Sequence, residues 1–309
     1  MIEEKIVIGT KYPLDGILTL PDKAEAPYTA VVLVHGSGPN DMDESVGKIK
    51  TFKDLAIGLA NRGIATIRYN KRTHSYGKEL VKDFGGSLTV KEETIEDAIF
   101  ATELLRNDSR IDSDKIFIAG HSMGAMLAPR IDADGGDYAG LILLAGSPRK
   151  LEEIMKDQQQ DFLEQCKGVI RWLAKKQINK ATKKFDNIYN ITDEEAKTTT
   201  LAGKYMFKYY LKEWGEKPSW DYLKILQKPI LVMHAEKDVH VSTEKDFNLY
   251  QEILSEHPNA TFKTYPDLNH LFMKAIYADI RKIMKEYKVP QHVEEHVIDD
   301  IANWIKENG

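Results

Sequence analysis

The chain has a single cysteine, Cys166, among 309 residues. One thiol cannot close an intrachain disulfide, and it excludes a cysteine-rich metal site. No apolar run reaches the length needed to span a bilayer. The opening Met1-Ile2-Glu3-Glu4-Lys5 is acidic, without the basic start and apolar stretch of a secretory signal, so a cytoplasmic location is expected. An excess of positive charge is also missing. Lys and Arg total 43 against 48 Asp and Glu, for a net charge of −5, which argues against nucleic acid or an anionic membrane as a partner. There is no internal repeat and no low-complexity tract. What remains is 42% hydrophobic and 29% charged residues, the composition of a folded globular protein, in a length that suits one large catalytic domain with an insertion or two small domains.

Apolar strands alternate with amphipathic helices along most of the chain. Lys5–Ile8 and Gly16–Leu20 flank a turn containing Pro13 and Asp15-Gly16 and read as a hairpin. Ala30–Val34 is a continuous, mostly β-branched run, as in a strand buried on both faces. Phe52–Asn61 reads as a helix stopped at Gly63, Ile64–Tyr69 as a strand, and Val90–Arg106 as a long helix with Ile95, Ala98, Ile99, Thr102 and Leu105 on one side. Further strands are expected at Ile116–Ala119, Ala139–Ala145, Pro229–His234 and Thr261–Tyr265, and a closing helix at Val293–Lys306. This alternation predicts an α/β protein with a doubly wound, mostly parallel sheet.

Residues 149–228 break the rhythm. They are rich in Lys, Glu, Gln and aromatics, carry no clear strand, and suggest helices at Leu151–Ile178 and Asp193–Trp214. Core segments 1–148 and 229–309 therefore flank a helical cap insertion, 149–228, leaving from the C-terminal end of a strand, where ligands bind in open α/β sheets.

Gly120-His121-Ser122-Met123-Gly124 lies between the strand ending at Ala119 and the helix-like Ala125–Ala128. A G-x-S-x-G element in that setting is a nucleophile elbow: glycines permit a sharp bend that lifts the Ser122 hydroxyl out of the sheet above a helix N-terminus. Five residues alone could be a glycine-rich turn, so the partners matter. Asp238 lies on the loop after Ile230–His234, where it could otherwise cap the helix beginning near Ser242-Thr243. His270 follows the final strand, where it could otherwise be a surface histidine. The order Ser…Asp…His is that of one triad class. His240 is the decoy: two residues from Asp238, it is poorly placed to bridge acid and nucleophile. His234 reads as a strand-end residue, and His257, His292 and His296 as solvent-facing. Backbone N–H groups of Ser37, in His35-Gly36-Ser37-Gly38-Pro39, and of Met123 are the expected oxyanion donors. No Lys-Ser/Thr follows these glycines, as a phosphate-binding loop would require.

These motifs together resemble the α/β-hydrolase superfamily, specifically bacterial serine esterases of the cinnamoyl-esterase, acyl-peptidase and dienelactone-hydrolase-like kind. The resemblance covers the core on both sides of the excursion. It implies the α/β-hydrolase fold, with Ser122 as nucleophile, Asp238 as acid, His270 as base and His35–Pro39 as oxyanion loop. In Arg68-Tyr69-Asn70-Lys71-Arg72 the family often has Asp at the third position, where this chain has Asn70. Dienelactone hydrolases proper use cysteine and haloalkane dehalogenases aspartate; serine at 122 implies neither chemistry.

The expected reaction is hydrolysis of a carboxylic ester through an acyl-enzyme, with no metal or organic cofactor. The expected partner is a small-molecule ester, with a homodimer allowed. A peptidase or thioesterase with the same triad, or a non-catalytic binding protein on this fold, are the competing readings. His35 and His121 each adjoin a motif and read as packing or hydrogen-bonding behind it. His35 is also counted with Arg72, His74 and Trp214 as a candidate substrate-binding residue. The acidic loop Asn40–Glu44 is expected near the pocket mouth or as a solvated turn, and the basic loop Lys71–Tyr76 to meet a substrate carboxylate or pair with that acidic loop. Tyr205, Phe207, Tyr209, Tyr210, Trp214 and Trp220 read as core of the insertion, with a few available to line an apolar pocket.

Overall fold

The computed structural model describes every residue except 203–205, so the expectation for Tyr205 lies outside the described residues. Eight strands form the central sheet: β1 (Ile2–Ile8), β2 (Leu14–Leu20), β3 (Tyr28–Val34), β4 (Ala65–Tyr69), β5 (Ile111–His121), β6 (Leu141–Leu144), β7 (Ile230–Ala235) and β8 (Ala260–Tyr265). Their spatial order is β1-β2-β4-β3-β5-β6-β7-β8. β2 pairs antiparallel with both β1 and β4, and every later pairing is parallel.

Alternation along each strand builds two cores. On β3, Val32 and Val34 join one apolar cluster while Val31 and Leu33 join the other. The first cluster is covered by α3 (Glu96–Arg106) and α4 (Met123–Ile131) through Ala98, Ala101, Leu105, Leu127 and Ile131. The second is covered by α1 (Thr51–Ala60) and the last helix, α12 (Glu295–Asn308), through Phe52, Leu59, Ile301 and Trp304. Both faces are thus sealed, which explains strands that read as unbroken apolar runs.

Two expectations need correction. Lys71–Tyr76 is not a loop: Arg72 opens a helix, α2 (Arg72–Phe84), kinked at Tyr76. Its polar, Gly-containing sequence buries only Arg72 and Leu80, so it has little apolar periodicity to read. The insertion is also more broken than expected. The first helix divides into α5 (Leu151–Gln165) and α6 (Gly168–Thr182), with Gly168 at φ +57° in the break. A short antiparallel pair, Thr200–Ala202 with Met206–Phe207, separates α7 (Asp193–Thr198) from α8 (Lys208–Glu216), and α9 (Ser219–Leu223) precedes β7. After β7 the chain forms α10 (Asn248–Ile253), and after β8 it forms α11 (Ile283–Glu286). Among the described residues, no helix is long and apolar enough to cross a membrane.

Because β3, β5, β7 and β8 run parallel, the loops carrying residues 35–40, Ser122, Asp238 and His270 all emerge at the same, C-terminal, edge of the sheet.

Candidate active site

Ser122 occupies the junction between β5 and α4 with φ +54° and ψ −114°, a conformation rarely adopted by a residue with a side chain. Close approach explains the flanking glycines. A Cβ on Gly120 would stand 2.3 Å from the Gly124 carbonyl carbon, and one on Gly124 would stand 2.0 Å from the Val34 carbonyl oxygen. The Ser122 N–H donates to the Leu144 carbonyl at 2.8 Å, tying the bend to β6. Met123 begins α4, so its N–H has no partner within the helix.

His270 Nδ1 donates to Asp238 Oδ2 at 2.6 Å. The other carboxylate oxygen, Oδ1, accepts the N–H groups of His240 (2.7 Å) and Val241 (3.1 Å). Burial pushes the Asp238 carboxyl up, but the charge of His270 and its hydrogen bond, followed by His240, outweigh burial and hold it below the ordinary value. The loop bearing His270 is braced from below: Asn269 donates from Nδ2 to Glu286 Oε1 (2.7 Å), while Asn269 Oδ1 accepts the Leu271 N–H (3.0 Å). Ser122, His121, His240 and His270 line one cavity of about 410 Å³.

Behind these residues lies a charge pair that sequence reasoning missed. Glu44, buried and at φ +48°, accepts the Gly36 N–H through Oε1 at 2.7 Å and faces His121 Nδ1 through Oε2 at 3.0 Å. His121 Nε2 in turn donates to the backbone carbonyl of His270 at 3.0 Å. One chain of contacts thereby joins the 35–40 loop, the elbow and the His270 loop. Lys71 Nζ donates to the Gly36 carbonyl at 3.0 Å, so both polar groups of Gly36 are occupied. The Ser37 N–H, by contrast, donates to no protein acceptor among the described residues. A Cβ added to Gly36 would be 3.2 Å from Ser122 Cβ, which places this loop directly against the elbow.

The acidic loop proves partly structural. Asn40 and Glu44 face the cavity, while Asp43 pairs with Lys50 Nζ (2.8 Å) and Arg68 Nε (3.0 Å). Asn70, standing where the resembling family often has Asp, accepts the Met42 N–H at 2.8 Å and so supports this loop.

None of the four candidate substrate-binding residues lines the cavity of Ser122. His35 is buried against Phe52 and Tyr69 with ring centroids 4.9 and 5.5 Å away, and its Nε2 bonds to the Asp41 carbonyl. Burial pushes its pKa down to about 4, so it packs as a neutral ring. Arg72 is buried on Asp97, with Nε 3.1 Å from both carboxylate oxygens, and on Glu96 at 2.9 Å. Its partners are therefore on α3, and it meets neither the acidic loop nor the cavity. Trp214 is buried within the insertion, edge-on to Tyr210. His74 is exposed on α2 at the mouth of a second cavity. His240 packs its ring 4.9 Å from His270, and burial followed by the His270 charge lowers it to about 4. His234 bonds to Thr243 Oγ1 at 2.9 Å and stacks on Phe247. His292 and His296 are exposed, whereas His257 is half-buried. Among the described residues, no group of three or more His, Cys, Asp or Glu is arranged to hold a metal ion.

A parallel-sheet core with helices on both faces and a strained serine at its C-terminal edge defines the α/β-hydrolase class. Solved structures share this fold. The Pyrococcus furiosus esterase Pf2001 aligns over 99% of this chain and 91% of its own at a TM-score of 0.59 and 15% identity. Est1E from Butyrivibrio proteoclasticus, solved with ferulic acid, aligns over 96% and 99% at 0.58 and 17%. In sequence, the model of the prolyl oligopeptidase family matches residues 51–289, and the chain belongs to that family. It is 36% identical to esterase EstD of Thermotoga maritima across 98% of its length, spanning 67% of that relative. The protein is accordingly a serine hydrolase, carboxylesterase-like in its kinship.

Proposed function

We propose that this protein hydrolyses carboxylic esters with Ser122 as nucleophile, His270 as general base and acid, and Asp238 as the residue that orients the imidazole. The observation that carries this reading is the 2.6 Å contact between His270 Nδ1 and Asp238 Oδ2, with His270 and Ser122 lining one cavity. With Nδ1 committed to a carboxylate, Nε2 is the basic nitrogen.

In this mechanism His270 Nε2 takes the Ser122 proton as the hydroxyl oxygen attacks the acyl carbon. The developing oxyanion is received by the N–H groups of Ser37 and Met123. The Ser37 assignment is supported by the capture of the neighbouring Gly36 N–H by Glu44. One such donor stabilises the transition state by roughly 2.7–4 kcal/mol. The imidazolium, stabilised by Asp238, protonates the departing alcohol. Water then attacks the acyl-enzyme with His270 again as base, releasing the acid and restoring Ser122.

Residues 149–228 act as a cap over the sheet edge. Leu151, Ile154 and Gln158 of α5 line the active-site cavity, and Gln158 Nε2 donates to the His240 carbonyl at 2.8 Å. The kinship with EstD supports ester rather than peptide substrates. The test is steady-state hydrolysis of p-nitrophenyl butyrate beside an aminoacyl p-nitroanilide. Turnover of the ester, abolished in Ser122→Ala, is expected; cleavage of the anilide alone overturns the ester assignment.

A further inference from the structure

A second cavity, about 810 Å³ and roughly twice the volume of the one containing Ser122, lies between α2, the 35–40 loop and the insertion. The two share Ser37, Met123, Leu151 and Met206 as walls. Neither Ser122, His240 nor His270 lines the larger one.

Building on the ester-hydrolase reading, we infer that this larger cavity receives the acyl chain of the substrate, and that the chain is uncharged and apolar. Four groups surround the acyl carbon in the tetrahedral intermediate. Ser122 Oγ supplies one, the oxyanion points to the amides of residues 37 and 123, and the leaving oxygen must stay within hydrogen-bond reach of His270. The leaving alcohol therefore belongs in the cavity His270 lines. The remaining substituent takes the direction left open, and the larger cavity, adjoining across the common walls Ser37, Met123, Leu151 and Met206, gives it room.

The lining sets the chemical class. Leu80, Val81, Leu88, Leu151 and Met206 supply aliphatic surface, and the unbranched methionines Met123 and Met206 adapt to chains of different shape. Of the two carboxylates in this wall, Glu79 is exposed to solvent and Glu93 is already satisfied: Lys71 Nζ stands 2.9 Å from it and the Tyr210 hydroxyl donates to it. No unpaired buried charge thus awaits a charged acid. His74 and Lys78 are exposed at the outer end, on the solvent side.

Gly77 provides the test. It lies on α2 in the wall of the larger cavity, and a Cβ built there meets nothing within 4 Å. Gly77→Trp takes up part of that space from the α2 side, with no backbone clash at its Cβ. The experiment measures kcat/KM on p-nitrophenyl acetate, butyrate, hexanoate and octanoate for wild type, Gly77→Trp and Met155→Trp, the last narrowing the smaller cavity. Wild type is expected to gain up to about fourfold per added methylene until the space is filled. Gly77→Trp is expected to lower the octanoate-to-acetate ratio by at least about tenfold while acetate stays within about twofold. Unchanged chain-length dependence in Gly77→Trp with altered dependence in Met155→Trp would reverse the assignment. Circular dichroism and thermal melts confirm that each variant is folded. Absence of ester turnover in wild type would sink the ester-hydrolase reading itself, whereas turnover with a Gly77-insensitive profile sinks only the acyl-chain assignment.

Discussion

Glu44 Oε2 stands 3.0 Å from His121 Nδ1, both side chains are buried, and the far nitrogen of the same ring holds the carbonyl of His270. A carbonyl only accepts, so His121 Nε2 carries a hydrogen, and a second proton at Nδ1 completes an imidazolium–carboxylate pair. For His121, burial lowers the pKa, but the Glu44 charge and contact, then the His270 carbonyl and Asp238, raise it above the ordinary 6.5. For Glu44, burial raises the pKa, but His121, then His35 and the Gly36 N–H, bring it below 4.5.

The pair's contribution to stability is therefore largest between those two reference values. It fades at higher pH as His121 loses its proton through its raised folded pKa, and at lower pH as Glu44 gains one through its depressed folded pKa. Glu44→Gln is expected to cost about 3 kcal/mol near pH 5.5, less at alkaline pH. Urea unfolding of both proteins from pH 4 to 9 measures the difference; a pH-independent gap contradicts the ion pair.

In the proposed mechanism Asp238→Asn removes the carboxylate that orients His270, while keeping an oxygen to accept the His240 and Val241 N–H groups. Turnover of p-nitrophenyl butyrate is expected to fall by about 10³–10⁴-fold with little change in melting temperature. A loss below tenfold would mean Asp238 serves the loop alone.

His240 and His270 are neighbours to which the proposed mechanism gives different tasks. Held near 4 by burial and by its neighbour's charge, His240 stays neutral across physiological pH and packs against the His270 ring. His240→Ala is expected to lower kcat/KM by no more than about tenfold, and His270→Ala by at least about 10³-fold. The opposite ranking would move the base to residue 240.

Arg72 joins α2 to α3 through Asp97 and Glu96, away from the active-site cavity. Arg72→Met leaves the Asp97 carboxyl, already pushed up to about 7 by burial, without its cation. The expected loss is about 3 kcal/mol of stability with an unchanged KM. A raised KM at full stability would instead place Arg72 on the substrate.

The strands were legible because a sheet sealed on both faces demands unbroken apolar runs such as Val31–Val34, and the elbow because Gly120 and Gly124 are required by backbone contact. Arg72 was misread because a basic residue beside a motif looks available to substrate, whereas its partner Asp97 lies 25 residues further on. Glu44 was hidden among acidic neighbours; its positive φ and its distant partner at 121 appear only once β3 and β5 lie side by side. The one sequence clue was the histidine inside the elbow itself. The second cavity had no signature either, since α2 has only one buried apolar side chain to mark it as a helix.

The central claim is that the hydroxyl of Ser122 becomes acylated with the help of His270. The most direct measurement is intact-protein and peptide mass analysis after exposure to a fluorophosphonate, in wild type, Ser122→Ala and His270→Ala. One adduct per chain on Ser122, absent in Ser122→Ala and formed far more slowly in His270→Ala, is the result expected. Ester hydrolysis that continues in wild type with Ser122 unlabelled, or labelling at an undiminished rate in His270→Ala, would contradict it.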